Sequence, residues 1–140
     1  MTSSTNYSLP PQEGIVLTHF LTVADVSRAA DFYERVLGGE IVRRGEPTII
    51  RLANSWIIVN VGGGPTDDKP TVTLRPPEDP DTANSFMNIR VADVWKCYQE
   101  WSSKGAQFLT EPKVHASEIR CYMRDADGYL IEVGQSVFRD

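Results

Sequence analysis

The chain has 140 residues, 41% of them hydrophobic, with 14 basic and 19 acidic side chains, two cysteines and two histidines. A chain of this length buries roughly two-thirds of the surface its unfolded form exposes, enough for one core and too little for two ordinary domains. A net charge of −5 without a basic cluster argues against nucleic acid as a partner, and no apolar run approaches the roughly 20 residues that cross a bilayer.

The opening stretch MTSSTNYSLPPQEG is polar and proline-bearing, and residues 1–14 read as a flexible arm. It has no signal-peptide pattern, so a cytoplasmic protein is expected. From Ile15, IVLTHFLTV is a strand-length run of apolar and β-branched residues. VSRAADFYERVLGG then changes to a helical period, with Val26, Ala29, Ala30, Tyr33 and Leu37 on one face. Asp25 is placed to cap the helix, and Gly38 and Gly39 to end it. Three short strands are predicted next, at 40–43, 48–52 and 56–61, the last two separated by an Asn54-Ser55 turn.

Residues 63–83 are crowded with proline and glycine and read as a connector, interrupted at most by a short TVTL strand. A second series follows: a strand SFMNIRV, a helix VADVWKCYQEWSSKG, and strands at 107–109, 118–123 and 129–134. The two series repeat each other. Val23-Ala24-Asp25-Val26 recurs as Val91-Ala92-Asp93-Val94, Gly38 matches Gly105, and WIIVNVG (56–62) overlays GYLIEVG (128–134). Each half thus reads β-α-β-β-β, module one at 15–62 and module two at 84–136, as a single α+β domain. Cys97 and Cys121 fit either one disulfide or two buried thiols, the second being the simpler reading.

At VADVSRAADFYERVLGG and RDADGYLIEV the sequence resembles the vicinal oxygen chelate superfamily, which includes glyoxalase I, bleomycin-resistance proteins, fosfomycin-resistance enzymes and extradiol dioxygenases. The resemblance runs over residues 15–135. It implies that the two modules pair into an incomplete eight-stranded barrel with helices outside and a cavity inside, in a homodimer. In the metal-dependent members the ligands come from the first and last strands of each module, and a divalent metal polarises adjacent oxygens of the substrate.

Carried over residue by residue, this implies Glu132 as a ligand and catalytic group. The other three ligand positions fall on Thr18, Asn60 and Phe86, none of which offers a strong donor. His19 lies one residue beyond Thr18, on the face of Leu21 and Val23 unless a β-bulge near Thr22 re-aims it. A metal set of His19 and Glu132, with His115 as a further candidate, would suit Zn, Mn, Fe, Ni or Mg. Glu132 stands between Ile131 and Val133 in a buried strand, so its charge requires a metal, an arginine or a donor network.

Trp56, Asn60, Phe86, Asn88, Arg120 and His115 are the candidate substrate contacts, with Arg51, Arg90 and Tyr122 beside them. Two readings stand open. One is a metal-dependent lyase, isomerase or dioxygenase acting on a small oxygen-rich or aromatic molecule. The other is a metal-free protein of the bleomycin-resistance type that sequesters a small molecule, for which an acidic, aromatic-lined groove would suit a cation and the net charge permits one.

Overall fold

A computed structural model describes residues 8–137 of the chain. The expected arm at 1–14 falls in part outside these residues. From Ser8 to Gly14 it forms neither helix nor strand.

Strand β1 (Thr18–Val23) leads into helix α1 (Val26–Asp31), which widens into a π-helical turn over Phe32–Val36. The extra residue in that turn brings Phe32 into the buried set beside Tyr33 and Val36, a position the regular helical period does not assign to the core. Strands β2 (Glu40–Arg43), β3 (Thr48–Leu52) and β4 (Ser55–Val61) follow. The β3–β4 turn is Ala53-Asn54, one residue earlier than expected, because Leu52 pairs with Ser55.

After the connector come β5 (Met87–Arg90), α2 (Val94–Ser103), β6 (Gln107–Phe108), β7 (Lys113–Val114), β8 (Glu118–Arg124) and β9 (Leu130–Ser136). Two details differ from expectation. The TVTL segment forms no strand: Leu74 makes only an isolated bridge to Gly63. β7 is an addition, a two-residue hairpin arm on β8 that is too short to register as a periodic run.

The strands form two sheets, ordered β1-β4-β3-β2 and β5-β9-β8-β6, with β7 also on β8. In each, the first and last strands of the module run parallel and the rest antiparallel. The chain divides into two compact units after Pro76, inside the connector. The fold is α+β, as the sequence predicts.

The same local chemistry builds both halves. Asp25 accepts the backbone N–H of Arg28 at 3.1 Å, and Asp93 that of Lys96 at 3.1 Å, so each helix starts on a side-chain cap. Gly38 (φ 77°) and Gly105 (φ 104°) then turn the chain out in the left-handed region that suits glycine. In the first unit, Leu21, Val23, Ile50, Ile57 and Val59 are buried on the sheet face that meets Ala29, Ala30 and Tyr33. In the second, Cys121, Met123, Ile131 and Val133 are their counterparts. Both cysteines are free, and burial pushes the Cys121 thiol up to about 11. Among the described residues, no helix is long and apolar enough to cross a membrane.

Candidate functional site

Because side chains alternate along a strand, the face of the second sheet opposite its core is set by register. Asn88 stands beside Glu132, Tyr122 opposite Glu132, Arg90 and Arg120 on either side of Gly134, and Glu118 opposite Ser136. Eight residues of three strands thus share one surface, and seven of them are polar or charged.

They form a ladder. Glu118 is the middle rung, its Oε2 accepting from Arg120 Nη1 at 2.9 Å and its Oε1 from Arg90 Nη1 at 3.1 Å. The same Arg90 nitrogen lies 3.3 Å from Glu132 Oε2, and the Tyr122 hydroxyl donates to Glu132 Oε1 at 3.2 Å. Arg90 Nη2 reaches Ser136 Oγ at 3.3 Å. Gly134 makes this possible: a Cβ there would lie 2.8 Å from the Arg90 Cζ.

The electrostatics follow from these contacts. The hydrogen bond from Arg120, ahead of the desolvation that opposes it, holds the Glu118 carboxyl below the usual range, and the same bond raises the Arg120 guanidinium. Burial, then the charge of Glu132, pushes the Tyr122 hydroxyl up, so it is a donor across neutral pH. Glu132 is almost fully buried, with 8% of its side chain exposed. Such a carboxylate is tolerable only with charge and hydrogen bonds to offset desolvation, and here Arg90 and Tyr122 supply them.

Phe86 lies just ahead of β5, 42% exposed, its ring edge-on to Tyr122 with centroids 5.9 Å apart. Asn88 is exposed, its Oδ1 3.4 Å from Arg90 Nη1. His115 occupies the exposed turn between β7 and β8, where its backbone N–H donates to the Glu118 carbonyl at 2.8 Å.

The first unit carries the other candidates. β1 pairs with β4 in unbroken register from Thr18–Trp56 to Val23–Val61, with no bulge near Thr22. His19 therefore shares the face of Leu21 and Val23, which is the helix-packing face, and is partly buried there. Thr18, Trp56 and Asn60 are on the opposite face. Trp56 is 7% exposed with the Arg51 guanidinium 5.5 Å above its ring, and Asn60 turns its Oδ1 back onto the Val61 N–H at 2.9 Å.

These side chains are a poor fit to a divalent metal. Both oxygens of Glu132 already accept hydrogen bonds, one of them from a guanidinium whose charge would oppose a cation at the same place. Among the described residues, no group of three or more His, Cys, Asp or Glu could hold a metal ion.

Two features escape the repeat. Aligned on Val-Ala-Asp-Val, Val91 matches Val23, yet Val23 stands beside Val61 whereas Ile89, not Val91, stands beside its counterpart Val133. The second module is thus offset by two residues, and this puts Asn88 beside Glu132 and moves Arg90, which the repeat's register would set there, to the level of Gly134. Glu118 was missed as a site residue, although the alternation Glu118, Arg120, Tyr122 puts it on the face of two residues that were candidates.

The pattern of the Glyoxalase/Bleomycin resistance protein/Dioxygenase superfamily matches residues 16–133. The chain belongs to that superfamily. Among the curated members of the superfamily, it is 27% identical over 124 residues to a lactoylglutathione lyase of Neisseria meningitidis, covering 84% of this chain and 87% of that one. Two solved superfamily-like structures share the fold. A glyoxalase/bleomycin resistance protein/dioxygenase from Alicyclobacillus acidocaldarius superposes with TM-score 0.70 at 15% identity, covering 88% of this chain and 92% of that one. TnmS3, an antibiotic binding protein from Streptomyces sp. CB03234, does so with TM-score 0.63 at 17% identity, covering 89% and 98%. Superfamily members commonly use divalent metals and bind small molecules.

Proposed function

We propose that the chain is a metal-free small-molecule binding protein, whose ligand is received on the polar face of the second sheet. The observation that supports this is the state of Glu132: its two oxygens are engaged by Arg90 and Tyr122, the arrangement of a structural anchor rather than of a vacant ligand. Arg120, Asn88 and Phe86 are the surrounding contacts in this reading, which is that of a sequestering protein such as the antibiotic-binding structural relative. A homodimer belongs to the same reading, by family resemblance, and light scattering on the purified chain tests it.

A second reading is a metal-dependent lyase, favoured by the 27% identity to lactoylglutathione lyases. In that reading Glu132, with His19, holds the ion, and Arg90 has to leave. One experiment separates them. The protein is incubated in turn with Zn, Mn, Fe, Ni and Mg, desalted, and its metal content and lactoylglutathione lyase activity are measured alongside Glu132→Ala and His19→Ala. The expected result is far less than one metal per chain and no activity. Stoichiometric metal that disappears in the Glu132 variant would overturn the metal-free reading.

A further inference from the structure

The chain is acidic overall, which taken alone permits a cationic ligand. The local surface of the second sheet points the other way, and at contact distance local donors outweigh a net charge that salt screens over roughly 10 Å. Both carboxylates lie low in the ladder, Glu132 with 8% and Glu118 with 22% of the side chain exposed. The guanidiniums stand above them, Arg90 at 43% and Arg120 at 34%. All four carboxylate oxygens accept hydrogen bonds from within the ladder. What an incoming molecule meets is therefore N–H donors, with the acceptors already used.

Arg120 is the better placed of the two. Its Nη1 is fixed by Glu118, and among the described residues its Nε and Nη2 make no hydrogen bond. A guanidinium held by one nitrogen with its remaining edge free is pre-set for two parallel hydrogen bonds to a carboxylate. Two residues along the same strand face, about 7 Å away at strand spacing, Tyr122 carries Phe86 against its ring, and that phenyl is exposed. A charged fork beside an exposed aromatic edge matches a ligand with an acidic group on a flat ring.

We infer that this face binds an aromatic carboxylate, its acid group on Arg120 and its ring against Phe86 and Tyr122. The inference rests on the binding reading above and names the ligand class for the same site.

The test uses the whole chain and three probes of one shape: naphthoate, its methyl ester and naphthylmethylammonium, titrated calorimetrically. Naphthoate is expected to bind at least about tenfold more tightly than the other two, with an affinity that falls as salt rises. Arg120→Gln should weaken naphthoate about tenfold and remove the preference, while Arg120→Lys, which keeps the charge and loses the fork, should fall between. Phe86→Ala should weaken all three probes alike. Equal or tighter binding of the ammonium, no binding of any probe, or an unchanged preference in folded Arg120→Gln overturns the inference. If Arg120→Gln does not fold, the wild-type ratio of acid to ester and the Arg120→Lys value decide. Failure of the metal-free reading shows separately, as Glu132-dependent metal content, and leaves the acid preference to stand or fall by itself.

Discussion

The two sheets share topology, capped helices and a buried inner face, yet their other faces differ. In the first, Thr22, Trp56 and Asn60 make a largely neutral face, with Thr22 and Trp56 buried and one arginine over the tryptophan ring. In the second, the equivalent surface is a ladder of two arginines and two glutamates closed by Tyr122. The inner faces stay alike because each must fill the space under a helix at close-packed density. The opposite faces do not meet that helix. A duplicated module therefore keeps its core and diverges on the opposite face.

The largest test of this comparison is in the cores. Ile57 and Ile131 are buried on the core faces of β4 and β9. Truncation of either to alanine should cost about 2–5 kcal/mol in denaturant unfolding. A loss confined to one of the two would break the claim that the inner faces are equivalent.

A smaller effect separates the two paired glycines. A Cβ on Gly62 would run into the backbone carbonyl of Leu74, which has little freedom to move, and Gly62→Ala should cost about 1–3 kcal/mol. A Cβ on Gly134 meets only the flexible end of Arg90. Gly134→Ala should cost less in stability but push Arg90 off Glu132 and Glu118. Comparison of the two unfolding midpoints checks the order, and Glu132-dependent metal retention in Gly134→Ala would show that Arg90 alone had kept an ion out.

The smallest effect concerns pH. Because the folded Glu118 carboxyl lies below its ordinary value near 4.3, its pairing stabilises the protein fully above that value. The contribution is lost as pH falls from there through the lower folded value. Unfolding midpoints measured from neutral pH to acid should show Glu118→Gln losing less stability on acidification than the wild type, by under about 1 kcal/mol, since the pair is partly solvated.

Much of this was legible beforehand because it rests on local rules. Asp25 and Asp93 precede helical periods, Gly38 and Gly105 end them, and period-two runs mark the strands. Their spacing exposed the duplication. The candidate site was legible in part: Asn88, Arg120 and Glu132 were named and share a surface, whereas Glu118 was not, because its contribution depends on a neighbour across the sheet.

By itself the sequence determined the two modules, the helix-packing face of the first strand and a glutamate that could not stay buried alone. Only the tertiary structure decided what meets that glutamate. Arg90 and Glu132 are 42 residues apart; the repeat's register would set them side by side, whereas the actual register, shifted by two residues, sets Asn88 beside Glu132 and Arg90 beside Gly134, from where Arg90 reaches both Glu132 and Glu118. Strand pairing at that separation is set by the packing of whole sheets and by loop lengths, which no local pattern encodes.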